Sequence, residues 1–305
     1  MPVDAIHLTA MREGVAHAGV SAEARRVVAR AEHAARLGAV WLDLPYFASF
    51  RANVVRYGLG LALPHSAWGT ETHDRAAPLL RAVIRHGAAV RDELARCEAA
   101  AFTIGLASHI AIDRALHPLV NWLAERYRVE KPKLTMAQAH REVEKFHSLE
   151  FHETYWGRDV MGTTALASYV GIDGIDRLDR GSLGNLGLRA MTDAFGNAPG
   201  LADLVAWGRS YALYVRLLAS PAGKMLVTRR ARDQAAWISH GYWGVFASHF
   251  RRAIDASAGL IEAAWGFYRH GARVWATDEI EHRLRPHLSD ETIDPPGSMF
   301  VRDAR

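Results

Sequence analysis

"ASHIAIDRALHPLV", residues 107–120, sets His109, Asp113 and His117 four residues apart in an otherwise apolar run. Apolar residues at three- and four-residue spacing make the stretch a helix. Residues i, i+4 and i+8 leave a helix from nearly one face. The two imidazoles and the carboxylate therefore share one stripe, flanked by Ile110, Ala111, Ile112, Ala115 and Leu116. A carboxylate buried there without a partner carries a heavy desolvation cost. A lone histidine in such a helix is ordinarily a hydrogen-bonded core residue, and Asp113 can pair with an arginine such as Arg114. Three ligand-type side chains in helical register favour a bound cation instead, and Asp and His are ligands of zinc. Pro118 follows directly. It is expected to end or kink the helix, turning His117 toward a neighbouring metal rather than the same one.

The helical period extends outward from this stretch over nearly the whole chain. Helices are expected near 4–17, 22–37, 74–96, 98–127, 135–155, 201–219, 231–255 and 257–270, with a weaker one near 277–285. Ser21 and Thr135 read as N-caps, Gly38 as a helix stop, and Gly157 follows the end of a helix. Two stretches resist the pattern. Residues 39–72 are rich in aromatics, Gly and Pro and read as an ordered loop layer, in which alternating Val and Leu allow a short strand at most. Residues 171–200 carry many turn residues and read as a boundary between helical halves. The expected fold is all-α, one multi-helix domain over 1–290. Its ligand-bearing half is about 1–155 and its helical back half about 156–290, with an extended tail at 291–305.

Composition narrows the function classes. The chain has 305 residues, half of them hydrophobic, and a formal net charge of only +4. Its cations are scattered arginines. "TRRARD" and "FRRAID" read as solvated helix faces, and no alternation of basic and aromatic residues marks a nucleic-acid surface. Cys97 is the one cysteine. It permits no intrachain disulfide and no thiolate metal site, and it is expected to be buried and inert. The start, "MPVDAIHLTAMREG", lacks the basic-then-apolar order of a signal peptide. The most apolar segment, 99–123, holds Asp113 and Arg114 at mid-span, so a buried helix is expected rather than a membrane span. The expected location is the cytoplasm.

A second helix repeats the ligand theme. In "AHREVEKFHSLEFHETYW", His140 and Glu144 stand at i and i+4, and His147 lies close to the same face. His147 with Glu150 is an alternative register. Asp43 in "WLDLPYF" is an acid among aromatics. His73 lies in "TETHDRAAPLL", which reads as the approach to a helix, and His65 in "LPHSAW". His7 is the early imidazole with apolar company. Carboxylate and imidazole without thiolate suit zinc, with manganese or iron also compatible. Trp41, Tyr46, Phe47 and Trp68 are candidates for the walls of a substrate entrance.

Together these residues resemble the zinc-dependent phospholipase C family, whose all-α fold is shared with single-strand nucleases. "GLASHIAIDRALHPLV" looks most like its uncharacterised bacterial branch, where the helix runs His-x-x-x-Asp-x-x-x-His-Pro. The resemblance covers roughly residues 1–155. It implies a ligand set of His7, Asp43, His73, His109, Asp113, His117, His140 and Glu144. It further implies two or three zinc ions. Asp113 would bridge two of them, one held also by Asp43, His73 and His109. Another would sit among His117, His140 and Glu144. Secreted members begin with a tryptophan whose amine binds a metal, whereas this chain begins Met1-Pro2. The implied activity is hydrolysis of phosphate esters, a phosphodiester above all, with Asp43 as general base. The substrate would be a phosphate-ester small molecule or a phospholipid.

Two other readings stand beside it. "THD" at 72–74 permits an HD-type phosphohydrolase, also all-α, with Asp74 as a ligand. A helical binding protein without catalysis would use the same His and Asp residues structurally. A ferritin-like di-iron site would need a second Glu-x-x-His to join "EKFH", and the chain offers none.

Overall fold

The computed structural model describes residues 4–58, 66–157, 160–170, 175, 178, 181–225 and 242–270. Among them there is no strand, and the fold is all-α. In chain order the helices are α1 (Asp4–Ala16), α2 (Ala22–Arg30), α3 (Glu32–Val40), a 3-10 helix (Trp41–Phe47), α4 (Phe50–Gly58), α5 (Ala67–Asp74) and α6 (Ala76–Ala88). There follow α7 (Glu93–Glu130), α8 (Met136–Tyr155), α9 (Thr164–Val170), α10 (Ser182–Phe195), α11 (Leu201–Leu218) and α12 (Tyr242–His270).

The 38-residue α7 is the axis of the molecule. Asp92 caps its start, accepting from the Ala95 N–H at 2.8 Å. The helix is long and apolar enough to cross a membrane by length and composition, yet 89% of its most apolar window is buried inside the protein. Pro118 does not end it, contrary to the sequence expectation. Proline inside a helix costs about 3 kcal/mol. The turns beyond it bury Leu119, Val120, Leu123 and Tyr127, at roughly 1.5–3 kcal/mol for a large apolar side chain. Burial outweighs the broken turn.

Around α7 lie two apolar clusters. The first takes α7 up to Ala111 together with α2, α3, α6 and α10. The second takes α7 from Ile112 onward with parts of α1, α8 and α12. The 107–120 stretch spans the changeover between them. The back half joins the front, since α12 packs along α7 and α1 and α10 packs on α6. Inside that packing, Ser257 Oγ donates to Ser108 Oγ at 2.8 Å.

Several boundaries differ from the sequence reading. The expected 22–37 helix breaks at Ala31, whose φ of −137° and ψ of 47° are not helical, and α3 then runs past Gly38. Gly38 is a crossing point rather than a stop. A Cβ on it would overlap the Phe102 carbonyl oxygen, and one on Gly105 would overlap the Ala35 carbonyl oxygen. The two glycines let α3 and α7 touch backbone to backbone. The described part of 39–72 is helical rather than loop. Most of 181–195, expected as turns, forms α10, where Gly187 makes room for the Trp41 ring. The expected 74–96 helix is α6 plus the start of α7, and 242–270 is one helix rather than parts of two. Cys97 is half-buried rather than buried. Thr135 and Ser21 cap as expected, the former in a full capping box with Gln138. Gly157 carries a φ of 63° just past α8. Residues 277–285 and the tail 291–305 lie outside the described residues.

Candidate metal centre

At the changeover between the two clusters, five chain segments bring ionisable side chains together. His7 comes from α1, Asp43 from the 3-10 helix and His73 from the last turn of α5. His109, Asp113 and His117 come from α7, and His140 and Glu144 from α8. Their ligand atoms form three groups, each with all atoms within 4.8 Å of one another: His7 with His109 and Asp113; Asp43 with His73 and His109; His117 with His140 and Glu144.

Asp113 is the hub. Its Oδ1 faces His7 Nε2 at 3.4 Å and His117 Nε2 at 3.5 Å. Its Oδ2 faces His109 Nε2 at 3.1 Å and His73 Nε2 at 3.4 Å. His73 Nε2 also lies 3.5 Å from Asp43 Oδ1, and His140 Nε2 lies 3.2 Å from Glu144 Oε1. The i+4 spacing of α7 sets this up, because it stacks His109, Asp113 and His117 on one face. The helix runs on through Pro118 and leaves His117 in register, 3.5 Å from Asp113, while the ligand group of His117 is the neighbouring one with His140 and Glu144, as the sequence suggested.

The imidazoles are held from behind. His109 Nδ1–H donates to the Ala39 carbonyl at 2.7 Å, and His73 Nδ1–H to the Gly69 carbonyl at 2.7 Å. His140 Nδ1–H donates to Asn121 Oδ1 at 2.9 Å. A carbonyl only accepts, so each Nδ1 carries a proton and each ring turns its Nε2 toward the carboxylates, as a lone pair where the ring is neutral and as a second N–H where it is protonated. His7 stacks on His109 with ring centroids 4.0 Å apart and planes 3° from parallel. A lone pair facing a carboxylate oxygen is repulsive unless a proton or a cation lies between. With a proton, a charge-assisted N–H···O contact shortens to about 2.7–2.9 Å. A tetrahedral ion with bonds of about 2.0–2.2 Å separates its ligand atoms by about 3.3–3.6 Å. Four of the six contacts, at 3.4–3.5 Å, match such edges, while His109–Asp113 at 3.1 Å and His140–Glu144 at 3.2 Å are hydrogen-bond distances. The donor set therefore fits zinc.

Electrostatics follow from the crowding. Burial pushes Asp113 and Asp43 up, but the imidazoles around them outweigh it and hold both carboxyls low. Glu144 is also held low against burial, by the charge of the chain's amino terminus and then by His140 and His117. Burial pulls His73 down, while its hydrogen bond to Asp43 and the charges of Asp113 and Asp43 raise it to about 9. His7 is lowered to about 4 by burial and by His109.

A small cavity of about 20 Å³ touches the cluster, lined among others by His7, Asp113, His117, Glu144 and His147. That is room for one water-sized sphere. His140 and Glu144 face His117 in the group on α8, whereas His147 forms none of the three groups but lines the cavity. The Glu150 side chain and His65 lie outside the described residues. Asp74 is exposed at the end of α5, outside the three groups, and does not open a helix as the sequence suggested. The HD-type reading, which needs it as a ligand, loses its support.

Of the four aromatic wall candidates, Trp41 and Phe47 are buried in the core, against Phe102 and Tyr211. Trp68 packs partly buried on the first apolar cluster. Tyr46 alone has a ring contact with a ligand, His73, at 5.4 Å. Sequence reasoning missed Asn121, although it continues the 109, 113, 117 series by one more step of four. The carbonyls of Ala39 and Gly69 carry no side-chain signal and were beyond its reach. No family model matches the chain, and no curated protein and no solved structure matches it either.

Proposed function

We propose that the protein is a metal-dependent phosphoric ester hydrolase, a phosphodiesterase of the phospholipase C kind, with zinc in two or three positions. The observation that carries the reading is the placement of Asp113. Both its oxygens are turned to imidazole nitrogens from α1, α5 and α7 at the spacing of metal ligands. Nitrogen and oxygen donors without sulfur also accept manganese or iron. When bound, clustered cations lower the pKa of a water toward neutrality and neutralise phosphate oxygens.

The chain's own residues divide the remaining work. Asp43 is the general base, taking the proton of the attacking water onto a carboxylate. Asp113 sits between the groups and holds them at one spacing. The carbonyls of Ala39 and Gly69 fix which nitrogens of His109 and His73 point inward. His117, with a side chain 37% exposed, is the most open of the imidazoles in these contacts, so the substrate side is expected there.

The test is elemental analysis of protein purified without chelator or histidine tag, joined to hydrolysis of chromogenic phosphodiesters and phosphomonoesters. At least two ions per chain and turnover of a phosphodiester are expected. Fewer than one ion per folded chain would remove the reading. Stoichiometric metal without hydrolysis of either ester class would turn it into a metal-binding protein without this chemistry.

A further inference from the structure

Tyr46 stands three residues after Asp43 on the 3-10 helix. Such a helix has three residues per turn, so the two side chains leave it on the same side. The Tyr46 ring lies 5.4 Å from that of His73. It is seated there by Gly69, where any Cβ would overlap the ring; even the Cζ atom would be only 2.7 Å away. Gly69 is also the residue whose carbonyl orients His73. One glycine thus registers both the phenol and the imidazole.

The ring borders the cluster at His73. Burial, and then the charges of Asp43, Glu144 and Asp113, push the phenol above its ordinary value. A phenol is a hydrogen-bond donor at neutral pH in any case. Among the described residues its hydroxyl has no hydrogen-bond partner. No lysine or arginine belongs to the three ligand groups or lines the small cavity. The Tyr46 hydroxyl is a donor that a phosphoryl group bound over the cluster can use.

We propose that Tyr46 is a substrate-binding residue of this site, its hydroxyl donating a hydrogen bond to a non-bridging oxygen of a phosphoryl group held between the Asp43–His73–His109 and His117–His140–Glu144 groups. This rests on the phosphate-ester reading and names the group that recognises the phosphate.

The experiment is titration of inorganic phosphate into the metal-loaded full chain by calorimetry, wild type against Tyr46→Phe. Metal content and a thermal melt are measured on both. The substitution keeps the ring over Gly69 and removes only the hydroxyl. Unchanged metal content and melt are expected, with the phosphate Kd raised about tenfold or more, as for a hydrogen bond to a charged partner. Equal phosphate affinity in the two proteins would overturn the assignment. So would loss of metal in Tyr46→Phe, which would make the hydroxyl a support of the ligands. A wild type that holds metal but ignores phosphate would remove the inference and leave the metal centre. A wild type without metal would remove the proposed function first and this inference with it.

Discussion

Asp113 offers both carboxylate oxygens to different imidazoles, so replacing one oxygen by an amide nitrogen disturbs two groups at once. Asp113→Asn is expected to cost more bound metal than any single change on α8. Asp74→Asn, at an exposed position, is expected to keep the full complement. Elemental analysis of the two variants decides. Loss in Asp74→Asn with Asp113→Asn intact would restore the HD-type reading. His140→Ala or Glu144→Ala should release one ion and leave those around Asp43 and His109. His147→Ala, which touches the cavity rather than a ligand group, should hold its metal count. A residue adjoining ligands can still weaken affinity by roughly 10- to 100-fold, so stoichiometry at saturating metal is the measurement.

At the scale of elements, the crossing of α3 on α7 reaches the site through the backbone. Gly105 lies one turn before His109, and its contact with α3 brings the Ala39 carbonyl within 2.7 Å of His109 Nδ1. Gly105→Ala forces the two backbones apart. Overpacking of this kind costs about 1–3 kcal/mol, occasionally more, and it should also loosen His109 and lower metal affinity without touching a ligand. Gly266→Ala on α12 is the control. A Cβ there meets nothing within 4 Å, and a helical Gly replaced by Ala gains about 0.5–1 kcal/mol. Melts in chelator, together with metal titrations, separate the two. Equal melting of Gly105→Ala and wild type would contradict the crossing.

For the molecule as a whole, the metal-free state leaves three low-pKa carboxyls among imidazoles between two apolar clusters. Ions that bind only the folded chain stabilise it by about 2.7 kcal/mol at a hundredfold excess over Kd. Chelation is then expected to lower Tm by about 5 °C or more. An identical melt with and without chelator would argue against a metal centre. Protons follow the metal. His73 is raised to about 9, so near neutral pH the metal-free ring is protonated and must lose that proton to ligate. Calorimetry in buffers of different ionisation enthalpy should detect proton release, with affinity rising as pH climbs toward 9. In the metal-free chain the sign is opposite for stability. The His73 contribution is full below 6.5, its ordinary value, and is lost as pH rises through about 9. No proton release on metal binding would show that His73 is not a ligand.

The sequence by itself determined the helical class and the stripe on α7, because a period of 3.6 residues is a local property that the spacing of His109, Asp113 and His117 records directly. It also determined the caps at Ser21 and Thr135, which depend on neighbours three residues away, while on α8 it left both His140 with Glu144 and His147 with Glu150 open. Other features were settled by the tertiary structure. That His7, Asp43 and His73 meet the α7 stripe depends on how α1, the 3-10 helix and α5 pack, and no local pattern encodes that packing. Gly38 and the glycines of α10 read as stops and turns, since a bare Cα looks the same whether it frees the backbone or admits a neighbour. Pro118 was misjudged for a similar reason. Its local cost is visible in the sequence, while the burial of Leu119, Val120 and Leu123 that outweighs it exists only once the helices have assembled.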